Sequence, residues 1–530
     1  MNKCKFNTKT SLLRTLAVFP ALMLQCAFAC AQVVVHTNSG TLEGVSGLGI
    51  VSFKGIPFAQ PPVGDLRLKP PLPVRPWKGS RKADAFSAGC IQHKDIERLP
   101  WSREYMLQGP TSEDCLYLNV WTSANFEGRR LPVYVFFYGG GFMEGAGSVD
   151  VYNGTNLALK GLVVVTVNYR LGALGFLAYP ALSRESPHHV SGNYGFLDGV
   201  SALQWVKENI RFFGGDPEKV TIGGQSAGSG MVHDLCASPL AKGLFRTAVA
   251  ESGTSLSFPM KSLGEAEQDG LEFVKSRNVN SLEELRKLPA DAFLPAPGSP
   301  RALRFAPVMD GWSIPELPLT AIENGTANDV PLLTGMQADE GSGSPTYGKL
   351  SADEWHKQVQ ERYGDLATKF NELYSAPDDA AASVAQKVSA RDRGAASMYL
   401  WSSRVRKMQK NNIYTYYFNR AIPWPEHTEF GAFHTGEMIY IFSNLDKLSR
   451  PFTEDDRTVA AITSGYLVNF VRTGDPNGEG LPKWEHFTAD PPLTLEISPS
   501  THMRPLMTPE KLAFWTAYFN SAQGMNAPLL

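Results

Sequence analysis

The chain of 530 residues has little cysteine and carries none of the spacings that common metal sites use. It holds 6 cysteines, with no Cys-x-x-Cys pair, no His-Glu-x-x-His motif and no acidic loop of calcium-binding spacing. Low-complexity linkers, internal repeats and blocks of like charge are also missing. The formal net charge of -2 shows that the chain lacks the excess of basic residues that is typical of nucleic-acid-binding proteins. We therefore expect neither a metal site nor a nucleic-acid partner.

Long apolar runs are lacking outside the N-terminus. There, basic residues between Lys3 and Arg14 precede an apolar run over 16–28, and small residues follow. This pattern predicts a signal peptide over residues 1–31, cleaved before Gln32, with Cys30 as an alternative lipidation site. The run is too short for a comfortable membrane span. We expect export to the periplasm or the medium, without stable membrane insertion.

The remaining residues, 32–530, are predicted to form one catalytic domain. Apolar residues make up 43% of the chain, which is enough for a large core, and 19% are charged. The motifs described next are spread from residue 53 to residue 434, so no boundary between them separates two domains.

The pentapeptide Gly224-Gln225-Ser226-Ala227-Gly228 is the most informative motif. It follows the strand-like Val220-Thr221-Ile222 and precedes a helix-compatible run over 231–235. In that context Gly-x-Ser-x-Gly predicts a nucleophile elbow, in which a tight turn exposes the serine hydroxyl. A glycine-rich loop without function is the alternative that the pentapeptide alone leaves open.

A second motif, Tyr138-Gly139-Gly140-Gly141-Phe142, ends an apolar run over 131–137 that is typical of a buried parallel strand. Backbone N–H groups in such a loop can stabilise the oxyanion of ester cleavage. The predicted donors are the amides of Gly140, Gly141 and Ala227. A flexible turn or a phosphate loop are alternatives, and the second is disfavoured because no Lys-Ser/Thr follows.

An elbow serine also needs a base and an acid that orients it, in the chain order Ser, Asp or Glu, His. Asp339 and Glu340 follow a strand-like segment over 330–335. His434 and His427 follow another over 413–418. Loops after parallel strands are where sites on open α/β sheets lie. These residues alone leave both choices open.

Taken together, the motifs resemble the type-B carboxylesterases, in the cholinesterase-like branch of the α/β-hydrolases. The matches that carry the resemblance occur in family order at 53–64, Arg67, 112–120, 138–142, 167–170, 192–195, 202–206 and 213–217. The resemblance implies an α/β-hydrolase fold, with a central, mostly parallel sheet flanked by helices and long excursions that form a lid or gorge.

The resemblance also assigns roles. It implies that Ser226 is the nucleophile, His434 the general base and acid, and Glu340 the acid that orients the histidine. Hydrolysis then passes through an acyl-enzyme and needs no cofactor. A disulfide between Cys90 and Cys115 is implied as well.

The sequence departs from the family in its substrate-binding segments. Gln225 stands where glutamate is common, and the stretch 341–344 lacks the aromatic pair of true cholinesterases. Choline esters are therefore not expected as natural substrates. For Arg301 and Arg304 we consider two roles, pairing with a substrate carboxylate or a solvated surface position. The predicted pocket residues are Phe142, Gln225, Leu303, Phe305 and Trp101.

The predicted function is that of an exported serine carboxylesterase acting on a small-molecule ester. Alternatives are a lipase, an amidase or a toxin or polyester esterase with the same triad, or a non-catalytic binding protein of cholinesterase-like fold. The sequence indicates neither the acyl and alcohol preference nor an oligomeric state.

Overall fold

The computed structural model describes residues 32–94, 98–253, 260–295, 304–521 and 524. The predicted signal peptide, the pocket residue Leu303 and the arginine Arg301 lie outside the described residues.

A single large sheet organises the described part of the chain. Its thirteen strands are β1 Gln32–His36, β2 Thr41–Gly47, β3 Ile50–Pro57, β4 Ser80–Lys82, β5 Tyr117–Ser123, β6 Leu131–Phe137, β7 Val163–Val167, β8 Gly215–Gln225, β9 Thr247–Glu251, β10 Leu332–Gln337, β11 Ile413–Phe418, β12 Leu493–Ile497 and β13 His502–Pro505. Their order across the sheet is β1-β2-β3-β5-β7-β6-β8-β9-β10-β11-β12-β13, with β4 paired to β2.

The centre of the sheet is parallel, as predicted. Every neighbouring pair from β7 through β12 is parallel, whereas β1, β2, β3, β5 and β13 join by antiparallel pairing. Helices cover both faces of parallel sheets, so their strands are buried along their whole length and do not alternate between buried and exposed residues. All five residues of β7 and all six of β10 are buried for this reason.

Fourteen α-helices flank this sheet in the described residues. They are α1 Thr155–Leu159, α2 Gly172–Phe176, α3 Pro180–Glu185, α4 Tyr194–Asn209, α5 Ala227–Ala237, α6 Leu263–Ser276, α7 Leu282–Lys287, α8 Pro318–Glu323, α9 Ala352–Tyr363, α10 Ala367–Leu373, α11 Asp379–Met408, α12 Met438–Ile441, α13 Glu454–Thr473 and α14 Pro509–Phe519. Helices α4, α5, α11 and α13 contact the central strands. No described helix combines the length and the apolar character needed to cross a bilayer.

A long excursion between β10 and β11 carries a second, smaller apolar cluster. Rings from α9, α10 and α14 pack together there, with Tyr363 stacked on Phe370 at 4.3 Å between ring centroids. Trp515 of α14 donates its indole N–H to the Tyr374 hydroxyl at 2.8 Å. This cluster anchors the excursion to the C-terminal helix.

The carboxyl ends of the parallel strands bring the predicted site residues to one edge of the sheet. The glycine loop follows β6, Ser226 follows β8, Glu340 follows β10 and His434 lies in the segment after β11. Because parallel strands end at the same edge, residues more than 200 positions apart meet there. The predicted disulfide between Cys90 and Cys115 is present.

Candidate active site

Ser226 lies in a strained turn between β8 and α5. Its φ is 57° and its ψ is -120°, a backbone conformation that a serine rarely adopts. The turn is tight on both sides, because a Cβ on Gly228 would lie 2.0 Å from the Phe137 carbonyl oxygen and one on Gly224 would lie 2.2 Å from that of Gly228. Only glycine fits at these two positions. The Ser226 N–H donates to the carbonyl oxygen of Glu251, at 2.9 Å, which ties the turn to β9.

The glycine loop approaches this turn from β6. A Cβ built on Gly139 would lie 3.0 Å from the Ser226 Cβ, so the loop and the serine are in direct contact. Gly140 and Gly141 adopt positive φ values of 107° and 63°. Ala227 is the first residue of α5, where the N–H has no acceptor within the helix. Backbone donors in this arrangement suit a developing negative charge beside the serine.

Glu340 and His434 are joined side chain to side chain. Glu340 Oε2 is hydrogen bonded to His434 Nδ1, and Glu340 Oε1 accepts from the Gln337 N–H at 2.8 Å. Both side chains are largely shielded, with 10% of Glu340 and 12% of His434 exposed. A carboxylate on Nδ1 fixes the plane and the tautomer of an imidazole, which leaves Nε2 to act on a neighbouring group.

Asp339 and His427, the competing candidates for the orienting acid and the base, bind other partners. Asp339 Oδ2 accepts from the Ala432 N–H at 3.0 Å, and Oδ1 accepts from Arg391 Nη2 at 2.6 Å. Its own N–H donates to the Ala432 carbonyl oxygen. Asp339 therefore joins the loop after β10 that carries Glu340, called the acid loop here, to the segment after β11 that carries His434, called the histidine loop. His427 is bonded to its near neighbour Glu429, at 3.2 Å. The adjacent carboxyl groups of Asp339 and Glu340 thus bind different partners, and Glu340 is the one that is hydrogen bonded to His434.

Gln225 lies beside the Nε2 edge of the same imidazole. The residue is 1% exposed, and its Nε2 lies 3.3 Å from His434 Nε2. Its Oε1 accepts a hydrogen bond from the Thr435 hydroxyl at 3.2 Å. The hydroxyl of Thr435 also accepts from the Trp101 indole N–H, at 3.3 Å, and that N–H reaches the His434 carbonyl oxygen at 3.1 Å.

Trp101 therefore lies against the histidine loop. Its ring meets the His434 ring edge to face, with centroids 6.3 Å apart. Its other side faces the acid loop, because a Cβ on Gly343 would lie 2.7 Å from the indole. The Arg98 guanidinium is 5.9 Å from the indole centroid and forms an ion pair with Glu144. The guanidinium nearest this ring is thus already paired with a carboxylate.

Two further carboxyl groups are buried behind the triad candidates. Burial raises the pKa of Glu251, at the end of β9, to about 8. Burial, with the nearby carboxylates of Glu340 and Glu251, raises the pKa of Glu437 well above its usual range. Glu437 Oε1 accepts from the Ser252 hydroxyl at 3.2 Å. Burial therefore favours the neutral form of both groups.

The other predicted pocket residues are buried among aromatic rings. Phe142 is 5% exposed and packs edge to face against Phe176, at 5.2 Å between centroids. Phe305 is 7% exposed and packs in the same way against Phe273, at 5.3 Å. Arg304 is exposed to solvent. A direct substrate contact by any of these residues stays a prediction.

Sequence reasoning did not single out Thr435 or Glu437. The sequence does indicate that Glu437 is unusual, because it is a lone acid at the start of the apolar run Met438–Ile441. It gives no such indication for Thr435, since the φ of 80° at that residue becomes visible only in the folded chain. In the part of the chain that the structure describes, no three His, Cys, Asp or Glu side chains gather as a metal site would require.

Comparison with known proteins reveals clear relatives. The family model described as "Carboxylesterase family" matches residues 31–515. The chain is 32% identical to the para-nitrobenzyl esterase of Bacillus subtilis strain 168 over 504 residues, which cover 90% of this chain and 99% of that one. It is likewise 32% identical to the cocaine esterase of Oryctolagus cuniculus over 538 residues, covering 92% and 96%.

A third relative is similar over a shorter region. The fumonisin B1 esterase of Sphingopyxis macrogoltabida is 42% identical over 355 residues, which are 66% of this chain and 64% of that protein. Among solved structures, a PNB esterase superposes with a TM-score of 0.75 at 30% identity, covering 91% of this chain and 99% of the other. The predicted α/β-hydrolase fold is confirmed.

Proposed function

The chain belongs to the carboxylesterase family and is a carboxylic ester hydrolase, and we propose that it works through a Ser226–His434–Glu340 triad. The observation that carries this proposal is the hydrogen bond between His434 Nδ1 and Glu340, in a ring whose Nε2 lies 3.3 Å from the side chain of Gln225. The residue after Gln225 is Ser226, held at a φ of 57°. A binding protein of this fold has no need of a strained serine beside an oriented imidazole. An esterase needs both.

The proposed reaction is acyl transfer in two halves. His434 Nε2 takes the proton of the Ser226 hydroxyl as its oxygen attacks the ester carbonyl carbon. The carbonyl oxygen gains the negative charge, and the amides of Gly140, Gly141 and Ala227 donate to it. Collapse expels the alcohol, which receives the proton from His434. Water then attacks the acyl-enzyme with the same base, which releases the acid and restores Ser226.

The substrate class that we propose is a neutral ester rather than a choline ester. The amide of Gln225 offers no negative charge to a quaternary ammonium group. The Arg98 guanidinium already lies over the ring of Trp101, 5.9 Å from its centroid, which leaves less of that ring face for a substrate cation. A second candidate substrate is fumonisin B1, because of the 42% identity to an esterase of that name.

A rate comparison tests this substrate proposal. We expect kcat/KM for butyrylthiocholine, corrected for leaving-group reactivity, to be no higher than that for 4-nitrophenyl butyrate. The reason is that each desolvated aromatic contact to a cation is worth roughly 1–2 kcal/mol, and the Trp101 ring beside His434 already has the Arg98 guanidinium over it. A corrected preference of about tenfold or more for the thiocholine ester, which corresponds to 1.4 kcal/mol, would contradict it. Fumonisin B1, with the released acid measured by chromatography, completes the substrate panel.

We also propose that the chain is exported with residues 1–31 removed. The support is the N-terminal composition and the disulfide between Cys90 and Cys115, a bond typical of oxidising compartments. Protein isolated from the periplasm or medium should begin at Gln32 and gain about 2 Da on reduction, because one disulfide takes up two hydrogens. A retained N-terminus, or a diacylglyceryl mass on Cys30, would contradict soluble export.

A further inference from the structure

The disulfide between Cys90 and Cys115 closes a loop, called the disulfide loop here, that contacts the glycine loop after β6. Gln92 makes this contact with both ends of its amide. Its Oε1 accepts from the Gly145 N–H at 2.8 Å, and its Nε2 donates to the Gly145 carbonyl oxygen, also at 2.8 Å. The same Nε2 donates to the Cys90 carbonyl oxygen at 3.0 Å. The hydrolytic mechanism described above gives this side chain no role.

The orientation of the Gln92 amide follows from its partners. A backbone N–H only donates and a backbone carbonyl oxygen only accepts, so the amide oxygen must face the Gly145 N–H. The NH₂ group must then face the carbonyl oxygens of Gly145 and Cys90. Gln92 is 6% exposed, so water competes little for these three hydrogen bonds. The side chain therefore joins Gly145 firmly to the backbone beside the disulfide.

Gly145 directly follows a turn that contains two of the proposed oxyanion donors. The Gly140 carbonyl oxygen accepts from the N–H groups of Met143, at 3.0 Å, and Glu144, at 3.2 Å, which closes the turn. The C=O and N–H of a trans peptide unit point in opposite directions, so the Gly141 N–H points away from the inside of the turn. Among the described residues, none accepts a hydrogen bond from the N–H of Gly140 or Gly141. Both groups are thus available to a substrate oxygen.

Gly145 is also packed against the start of the glycine loop. It has a φ of 114°, and a Cβ built on it would lie 2.4 Å from the Tyr138 ring and 2.7 Å from the Gly139 carbonyl oxygen. Gly139 in turn contacts Ser226. A glycine has no side chain to fix its position and the widest choice of backbone conformations. A partner that bonds both its N–H and its carbonyl oxygen therefore restrains the loop close to the serine.

From these contacts we propose that Gln92 is a positioning residue for the oxyanion hole. It holds Gly145, and with it the turn that presents the N–H groups of Gly140 and Gly141. This inference rests on the proposed triad and oxyanion donors. Such donors stabilise a developing charge best when they are in place before the reaction begins, and a misplacement of about 1 Å can lower a rate by about 100-fold. Gln92 acts through Gly145 and not through contact with the substrate.

The two ends of the glycine loop have anchors of their own. At its start, the Tyr169 hydroxyl donates to the Tyr138 carbonyl oxygen at 2.8 Å. At its end, the Gly147 N–H donates to Asn168 Oδ1 at 2.9 Å, and the Gly147 carbonyl oxygen accepts from the Thr166 hydroxyl at 2.6 Å. None of these bonds involves Gln92. Replacing Gln92 should therefore loosen the middle of the loop without releasing its ends.

Gln92→Met tests the proposal, because methionine keeps the length of the side chain and cannot make the paired hydrogen bonds to Gly145. We expect kcat for 4-nitrophenyl butyrate to fall by about 10- to 100-fold, with KM within about threefold of the parent. Affinity for a trifluoromethyl ketone, which the Ser226 hydroxyl converts to a charged hemiketal, should fall by a similar factor. Affinity for the matching methyl ketone, which stays a neutral ketone, should not change.

Gln108→Met is the matched control in the same disulfide loop. Gln108 is exposed, and its Nε2 donates only within that loop, to the carbonyl oxygens of Arg103 and Met106 at 2.6 and 3.1 Å. The same chemical change at this position should leave kcat and the affinity for the trifluoromethyl ketone within about threefold of the parent. The comparison separates a general effect of altering the disulfide loop from the effect of releasing Gly145.

Gln92→Ala is the second variant, in case the buried methionine prevents folding. Alanine leaves room for water to bond the N–H and carbonyl oxygen of Gly145, but water cannot tie them to Cys90. It should show the same losses in kcat and in trifluoromethyl ketone affinity. Parental kcat in either folded variant, or a loss of kcat without a loss of ketone affinity, would overturn the inference. Failure of the triad looks different, because Ser226→Ala would then keep the parental activity.

Discussion

Replacing Ser226 by alanine should lower kcat for 4-nitrophenyl butyrate by about 10⁴-fold or more, as loss of a triad nucleophile does in other serine hydrolases. The hydroxyl is the only group at the elbow that can form the acyl-enzyme. The fold should persist, because the Ser226 backbone N–H keeps its bond to Glu251 and alanine fills the same space. The measurement is a saturation curve with a protein whose circular dichroism and Tm match the parent.

A neighbouring serine provides the matched control. Ser229 lies one turn further along α5 and donates its hydroxyl to the Gly253 carbonyl oxygen at 2.8 Å. Ser229→Ala makes the same chemical change on the same helix, so it should retain kcat within about tenfold of the parent. Ester turnover near the parental rate in folded Ser226→Ala protein would remove the proposed nucleophile.

Replacing His434 by alanine should be nearly as damaging, with kcat again lower by about 10⁴-fold or more. Without the imidazole, the proposed triad has no group to accept the Ser226 proton, and Glu340 Oε2 loses its partner Nδ1. His427→Ala should retain most of the activity, because that ring faces Trp424 and Glu429 at the surface of its loop. The two variants are compared at the same pH and at saturating ester.

The opposite pattern, with His427→Ala inactive and His434→Ala active, would show that the base is the other histidine. Since partial unfolding could also reduce activity, each variant needs a thermal melt beside its rate. In the parent, kcat/KM should fall toward acidic pH because a protonated imidazole cannot accept the serine proton.

Much of the fold was predictable because local signals and topology agree. The strands predicted at 131–137 and 413–418 are present with those bounds as β6 and β11. Both consist almost entirely of aliphatic and aromatic residues, without the alternation of polar and apolar residues expected of a half-exposed hairpin strand. The strand predicted at 330–335 is β10, which begins at Leu332 and ends at Gln337. Pro331 accepts a hydrogen bond from Ala248 but has no N–H to donate to a neighbouring strand.

The arrangement of side chains around the histidine was harder to predict. Residue patterns alone could not choose between Asp339 and Glu340, because adjacent side chains diverge and their partners lie some 90 positions away. The sequence indicated Gln225 as a departure from the family but not its contact with His434. That contact joins residues 209 positions apart, and a tertiary contact of this kind leaves no local pattern.

Covalent labelling with a fluorophosphonate probe, followed by peptide mapping, tests the central claim most directly. Such a probe reacts with a serine only where a base has activated the hydroxyl. The account predicts one adduct per chain, on Ser226, with loss of esterase activity in proportion to labelling and no adduct in Ser226→Ala protein. An adduct on another residue, or full ester hydrolysis by a protein that the probe leaves unlabelled, would contradict it.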